Sequence, residues 1–340
     1  MTTALSRMIR QQAGALDRIS ELDLAGPAEV LAGAHRVVLV GTGTSQHAAE
    51  LGAMMLGQAG LDARWYPAQT WARWSPGPQP GDALLVISHT AETAYAARAR
   101  AGALAAGLPV LSVTGTGRGW PEAIETVPPE ESHTYTVSYT TVLAVLARLA
   151  HQLGAPHGSP GQIRQAAAEV QRVCTAGEGA DPVGVPARSL AVAGCGPWGV
   201  TAREGALKVR EAARMLAEGF DSERLLHGPA VPLTAADGLV LLEPAADGDG
   251  LTAALGAAAQ AEGIPVAVLA AADPLPAAGQ AGDQPAPLPP LLAQIPMTVR
   301  LQLLAAWFAG LRRQDPDAAI TGAWAEQPLW ELGAPARGEG

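Results

Sequence analysis

Short apolar runs of four to six residues recur along this 340-residue chain, each followed by a stretch of helical length, and this alternation constrains the fold more than any other feature. In the first half the runs are Arg36–Val40 (RVVLV), Ala63–Tyr66, Ala83–Ser88 (ALLVIS) and Pro109–Val113 (PVLSV), spaced about 20 to 27 residues apart. Continuous apolar runs suit strands buried on both faces, so the pattern predicts an α/β fold: a doubly wound parallel sheet with crossover helices. The theme repeats with Arg188–Ala193 (RSLAVA), Gly238–Leu242 (GLVLL) and Pro265–Leu269 (PVAVL). The repeat is too long for a solenoid and reads as a domain duplication, two such domains in tandem. The expected organisation is a helical lead-in over 1–34, a first domain over 35–153, a helix and Gly/Pro-rich linker over 154–187, and a second domain over 188–335. Helices are predicted over about 133–151, 160–175 and 291–313, a long Pro-rich loop over 272–290, and a frayed end beyond about 333.

Composition narrows the function classes. Charged residues make up 16% of the chain and hydrophobic ones 48%, values of a globular protein. The formal net charge is −10 with no basic run, which argues against nucleic acid as a partner. No apolar run reaches the roughly 20 residues a spanning helix needs, and the N-terminus lacks a signal-peptide core. A cytoplasmic protein without membrane contact is expected. Cys174 and Cys195 have no metal-ligand spacing, so neither a disulfide framework nor a metal is expected. No cofactor is expected either.

Of 22 basic residues only Lys208 is a lysine, and asparagine is absent. Arg stays protonated and planar, whereas Lys is a point charge with a shiftable pKa. A solitary lysine in an arginine background therefore marks position 208 as a candidate.

Three segments carry chemistry. Gly41-Thr42-Gly43-Thr44-Ser45 follows the first apolar run and opens a helix, where free N–H groups and a partial positive charge favour an anion; it equally suits a plain strand-to-helix turn. A dinucleotide fingerprint is excluded, because Gln46 stands where a third glycine is needed and no acid ends the second run. Ser88-His89-Thr90-Ala91-Glu92-Thr93 places three hydroxyls at another helix start, as an anion cradle or as a capping box. Two hydroxyl-rich loops at strand ends on one sheet edge favour the cradle. In Glu204-Gly-Ala-Leu-Lys208-Val-Arg-Glu211 the lysine lies between two carboxylates on one helical stripe. Such a stripe is either a solvated ion-paired face or a site, and the Ala and apolar neighbours favour the site. His227, in a His-Gly-Pro turn, adds a group that titrates near neutrality.

Together, Gly-Thr-Gly-Thr-Ser (41–45), Ser-His-Thr-Ala-Glu-Thr (88–93), Glu-Gly-Ala-Leu-Lys-Val-Arg-Glu (204–211) and Glu-Arg-Leu-Leu-His-Gly-Pro (223–229) resemble the double sugar-isomerase (SIS) domain family. The resemblance is to the isomerase half of glutamine:fructose-6-phosphate amidotransferase and to free-standing sugar-phosphate deaminases, isomerases and fructosamine-phosphate deglycases, and it covers nearly the whole chain. It implies two flavodoxin-like three-layer domains and a phosphorylated sugar as ligand. Ser88, Thr90 and Thr93 would hold the phosphate, with His89 where the family usually has Gln. Ser45, with Thr44 beside it, would lie near the sugar, and Thr136 would match a further substrate contact. Glu211 would move a proton between C1 and C2, Lys208 would keep it ionised and oriented, and His227 would open the ring. The histidine is often donated by a neighbouring subunit, which implies a homodimer with shared active sites.

Two departures shape the expected reaction. No Cys follows Met1, so release of ammonia from glutamine is not expected. Family members commonly end in a Pro-Arg-x-Leu-x-Lys type tail, whereas Asp315-Pro316-Asp317 here leads into Ala318–Glu326 without a lysine. The expectation is therefore an isomerase or deaminase acting on a ketose or amino-sugar 6-phosphate, with a deglycase or a non-catalytic sugar-phosphate sensor as alternatives. A sensor would ordinarily carry a DNA-binding domain, for which the first 35 residues are too few.

Overall fold

Every apolar run singled out above forms a strand in one of two parallel sheets. A computed structural model describes residues 2–176, 183–243, 249–270 and 286–335. The first sheet comprises β1 (Arg36–Gly41), β2 (Ala63–Pro67), β3 (Asp82–Ile87), β4 (Val110–Thr114) and β5 (Ala123–Glu125), in the order β2-β1-β3-β4-β5. The second comprises β6 (Leu190–Gly194), β7 (Ala217–Asp221), β8 (Gly238–Glu243) and β9 (Val266–Ala270), in the order β7-β6-β8-β9. The helices are α1 (Ala4–Ser20), α2 (Ala25–Ala32), α3 (Thr44–Gln58), α4 (Ala68–Trp74), α5 (Ala94–Ala105), α6 (Val137–Gln152), α7 (Pro160–Ala176), α8 (Pro197–Ala213), α9 (Ser222–Leu226), α10 (Leu251–Ala261), α11 (Pro290–Leu311) and α12 (Gln327–Glu331). The expected loop over 272–290 and linker over 177–186 fall largely outside the described residues.

The chain clusters into two units. Gly14–Glu131, Tyr135–Arg164 and residues 320–335 form the unit around the first sheet. Residues 2–13, Ser132–Thr134 and Gln165–Ala319 form the unit around the second.

In the first unit β1 and β3 are buried on both faces, as their unbroken apolar sequences require. Val38, Val40, Leu84 and Val86 point to one face, into a core with Trp71 of α4 and Ala96, Ala99 and Ala103 of α5. The opposite face is covered by α3 and α6: a Cβ at Gly52 of α3 would lie 2.8 Å from both Leu39 and Leu146. This is a three-layer arrangement. Its strand order reverses direction between β1 and β3, which leaves a crevice beyond their C-terminal ends.

The second unit follows the same plan. Ala191, Ala193, Phe220, Leu239 and Leu241 share a core with Leu225 of α9 and Leu255 and Ala259 of α10. The chain moves to one side from β6 to β7 and back across from β7 to β8, so right-handed crossovers place α8 and α9 on opposite faces. Gly219 in β7 confirms the placement of α8. A Cβ there would lie 2.3 Å from the backbone N and Cα of Arg203, while the next residue, Phe220, points into the α9/α10 core. Gly219→Ala is expected to destabilise the protein by about 1–3 kcal/mol, because backbone rather than a movable side chain fills the space. The check is the urea midpoint, and an unchanged midpoint contradicts the packing.

By length and composition alone α11, 22 residues, is long and apolar enough to cross a membrane. It is 83% buried in that stretch, the position of a core helix; Gln294 accepts from the Thr201 hydroxyl of α8, Thr298 donates to the Gln294 carbonyl, and Gln302 accepts from Gln12 of α1. Pro296 and the polar residues of the helix interrupt its apolar sequence.

Candidate functional site

Two glycine loops mark the parallel construction of the units. Gly41 ends β1 and Gly194 ends β6, and a Cβ on either would strike the first turn of the following helix, at 2.3 Å from the Ser45 carbonyl oxygen and 2.6 Å from Trp198 Cβ. Gly43 and Gly196, the residues before α3 and α8, adopt φ of 59° and 53°. Only glycine accepts both demands without strain. Thr44 and Ser45 thus stand in the first turn of α3, half-buried, beside the crevice.

The β3–α5 loop lies across that crevice. Ser88 is 2% exposed, and its hydroxyl is 3.3 Å from that of Thr93. Thr93 precedes α5 without a side-chain capping bond, and Glu92 is exposed, so the capping-box alternative is not what this loop builds. Thr90 accepts from the Glu92 N–H at 3.2 Å. Ala91 holds φ of 57°, a left-handed conformation that costs a residue with a Cβ and persists where surrounding structure enforces it. The structure thereby brings Thr44, Ser45, Ser88, Thr90 and Thr93 to neighbouring strand ends of one sheet.

His89 and Thr136 have partners the sequence did not suggest. The His89 ring stands edge-on to Tyr135 at 5.5 Å. Its burial pushes the imidazole pKa down, with Glu130 opposing and Arg118 reinforcing the shift. Thr136, fully buried, donates its N–H and hydroxyl to Glu130, whose carboxylate also accepts from the N–H groups of Val137 and Ser138. A glutamate therefore satisfies the free N–H groups at the start of α6. The hydroxyl expected to touch substrate is committed to that glutamate. Glu130 and Arg118 carry no motif in the sequence; only their place in the loops that follow β5 and β4 marks them.

On α8, Lys208 is 1% exposed and lies 2.5 Å from Glu211 and 3.5 Å from Glu204, itself fully buried. The stripe is an interior ion-pair cluster, not a solvated face. Glu211 is 23% exposed. Burial raises the Glu211 carboxyl above its ordinary 4.5, and the charge and hydrogen bond of Lys208 oppose that rise. Lys208→Met removes this opposition, so the acid limb of the pH–rate profile is expected to move to still higher pH. A limb that stays put or moves down contradicts the assignment.

His227 is exposed and follows α9, its N–H donating to the Arg224 carbonyl, before Gly228 turns the chain at φ of 120°. Glu211 lies near the end of α8, and His227 lies in the turn that follows α9. Among the described residues, no group of three or more His, Cys, Asp or Glu side chains is arranged to hold a metal ion.

No family model matches the chain. It is 28% identical over 311 residues to glutamine–fructose-6-phosphate aminotransferase (isomerizing) of Pyrococcus horikoshii, covering 85% of this chain and 51% of that protein. Against the enzyme of the same name from Sphingobium yanoikuyae it is 32% identical over 136 residues, 39% of this chain and 87% of that one. The chain spans about half the length of the first of these relatives. Among solved structures, glucosamine-6-phosphate deaminase from Thermotoga maritima superposes with a TM-score of 0.76 at 17% identity, covering 93% of this chain and 97% of that one. Tagatose-6-phosphate ketose/aldose isomerase from Escherichia coli does so with a TM-score of 0.76 at 19% identity, covering 94% and 96%. These two superpositions establish the likeness of fold. With the relatives in sequence, they show that the chain belongs to the sugar-isomerase (SIS) family and resembles the isomerase half of glutamine–fructose-6-phosphate aminotransferase.

Proposed function

We propose that the chain is a phosphosugar isomerase or deaminase built from two SIS domains in tandem, acting on a ketose or amino-sugar 6-phosphate. The phosphate sits on the β3–α5 loop, against Ser88, Thr90 and Thr93, with Thr44 and Ser45 at the facing end of β1. Glu211 transfers the proton between C1 and C2. His227 of the partner subunit in a homodimer opens the sugar ring.

The observation that carries this reading is the state of Glu211. Proton abstraction beside a carbonyl or imine needs a base whose pKa approaches working pH, and burial moves this carboxyl in that direction. Lys208, 2.5 Å away, holds its orientation. A carboxylate serving only as an ion-pair partner in a solvated face would be exposed and shifted the other way.

The chemistry at the site favours release over addition of ammonia. The chain's only lysine is engaged with Glu211, and residues 318–326, where the family resemblance implies a lysine-bearing tail, contain none. Isomerisation needs only the proton transfer and ring opening assigned here; deamination adds one step, in which water attacks the imine that the proton transfer leaves at C2 and ammonia departs as the C–N bond breaks.

The test is a panel of hexose and hexosamine 6-phosphates incubated with the full chain and with Glu211→Gln, scored for isomer and ammonia. Turnover of at least one member, lost in the variant, is the expected result. Tight binding without turnover of any member overturns the enzyme reading and leaves a sensor.

A further inference from the structure

Two side chains beside the β3–α5 loop, His89 and Arg118, hold buried nitrogens without hydrogen-bond partners. Both ring nitrogens of His89 and the Nε of Arg118 are buried and unpaired. A buried N–H left unpaired is costly, so such donors in a native fold call for an acceptor. The two belong to one locality. The His89 ring lies on Gly115, where a Cβ would be 2.7 Å from Cε1 and 2.9 Å from Nδ1, and the Gly115 N–H donates to the His89 carbonyl at 2.9 Å. Arg118 follows three residues later in the same β4–β5 loop. The charged groups that act on His89 are Arg118 and Glu130, and Glu130 is already occupied by the start of α6.

From this geometry we infer that Arg118 is a phosphate-binding residue, donating with neutral His89 to the phosphoryl oxygens of a sugar phosphate seated on residues 88–93. The inference rests on the phosphosugar reading and adds to it the cation that the loop's hydroxyls lack. In a chain of net charge −10 a dianion needs such a local cation. Arginine matches the phosphate by its fork of parallel N–H groups. His89 supplies an uncharged N–H, as an amide at that position would, because burial and Arg118 both disfavour its protonation.

The experiment is calorimetric titration of wild type, Arg118→Gln, Arg118→Lys and His89→Gln at pH 8 with glucosamine 6-phosphate, fructose 6-phosphate and unphosphorylated glucosamine. Thermal melting of each variant verifies its fold. Arg118→Gln is expected to weaken binding of the phosphorylated sugars by roughly tenfold or more, the effect of one lost charge-assisted hydrogen bond. Arg118→Lys should recover part of that, and His89→Gln should stay within about threefold of wild type because the amide still donates. Glucosamine should bind all four proteins alike. If Arg118→Gln binds the sugar phosphates as wild type does, water meets the orphaned nitrogens, and this inference falls while the phosphosugar reading stands. If His89→Gln loses as much as Arg118→Gln, the neutral role of His89 is wrong. Wild type that does not prefer phosphorylated to unphosphorylated sugar overturns both the inference and the reading beneath it.

Discussion

Glu211→Gln is expected to lower kcat on the preferred sugar phosphate by roughly a hundred- to ten-thousand-fold, the usual worth of a positioned general base. Substrate affinity should change little, because the proposed phosphate contacts are those of Ser88, Thr90 and Thr93 and not of Glu211. The amide keeps the shape of the carboxyl and can still face Lys208, so the fold is retained and the loss reads out chemistry. The pH profile supplies an independent check. A base works only when deprotonated, and burial raises Glu211 above the ordinary 4.5, so activity should fall as pH drops through a value above that figure. A profile flat down to the ordinary carboxylate range removes Glu211 from the role.

Mixing two inactive variants is expected to restore activity. If each site takes Glu211 from one subunit and His227 from the other, a Glu211→Gln/His227→Asn heterodimer contains one site with both replacements and one with neither. Random exchange of subunits then regenerates about a quarter of wild-type activity from two dead proteins. If both groups served one site within one chain, every site in the mixture would lack one of them and nothing would be regained. The first outcome is the one expected of the homodimer with shared sites proposed above.

The strands show where sequence reading succeeds and where it stops. The central strands β1, β3, β6 and β8 are legible because burial on both faces demands unbroken apolar runs. The edge strand β7, Ala-Glu-Gly-Phe-Asp, has no such run: Gly219 is required where α8 closes on the strand, and Glu218 is exposed. β5 is missed for its length, three residues.

The candidate site divides in the same way. The hydroxyl loop and the lysine between two glutamates are local patterns, readable from spacing. Whether the stripe on α8 is solvated or interior depends on its covering by α11, and Gly205, whose Cβ would lie 2.4 Å from Leu301, shows how closely the two helices pack. Arg118 and Glu130 act through loops brought together only by the order of strands β3, β4 and β5. No spacing along the chain encodes that proximity.

The most direct test of the account follows deuterium from solvent into the sugar. Fructose 6-phosphate and glucosamine 6-phosphate are incubated in D2O with the full chain and with Glu211→Gln, and proton NMR reads the C1 and C2 positions. Proton transfer between those carbons by a base open to solvent predicts incorporation with wild type and at least a hundredfold slower incorporation with the variant. Incorporation that proceeds equally well in Glu211→Gln, or its absence in wild type saturated with every sugar phosphate it binds, contradicts the claim that Glu211 moves this proton.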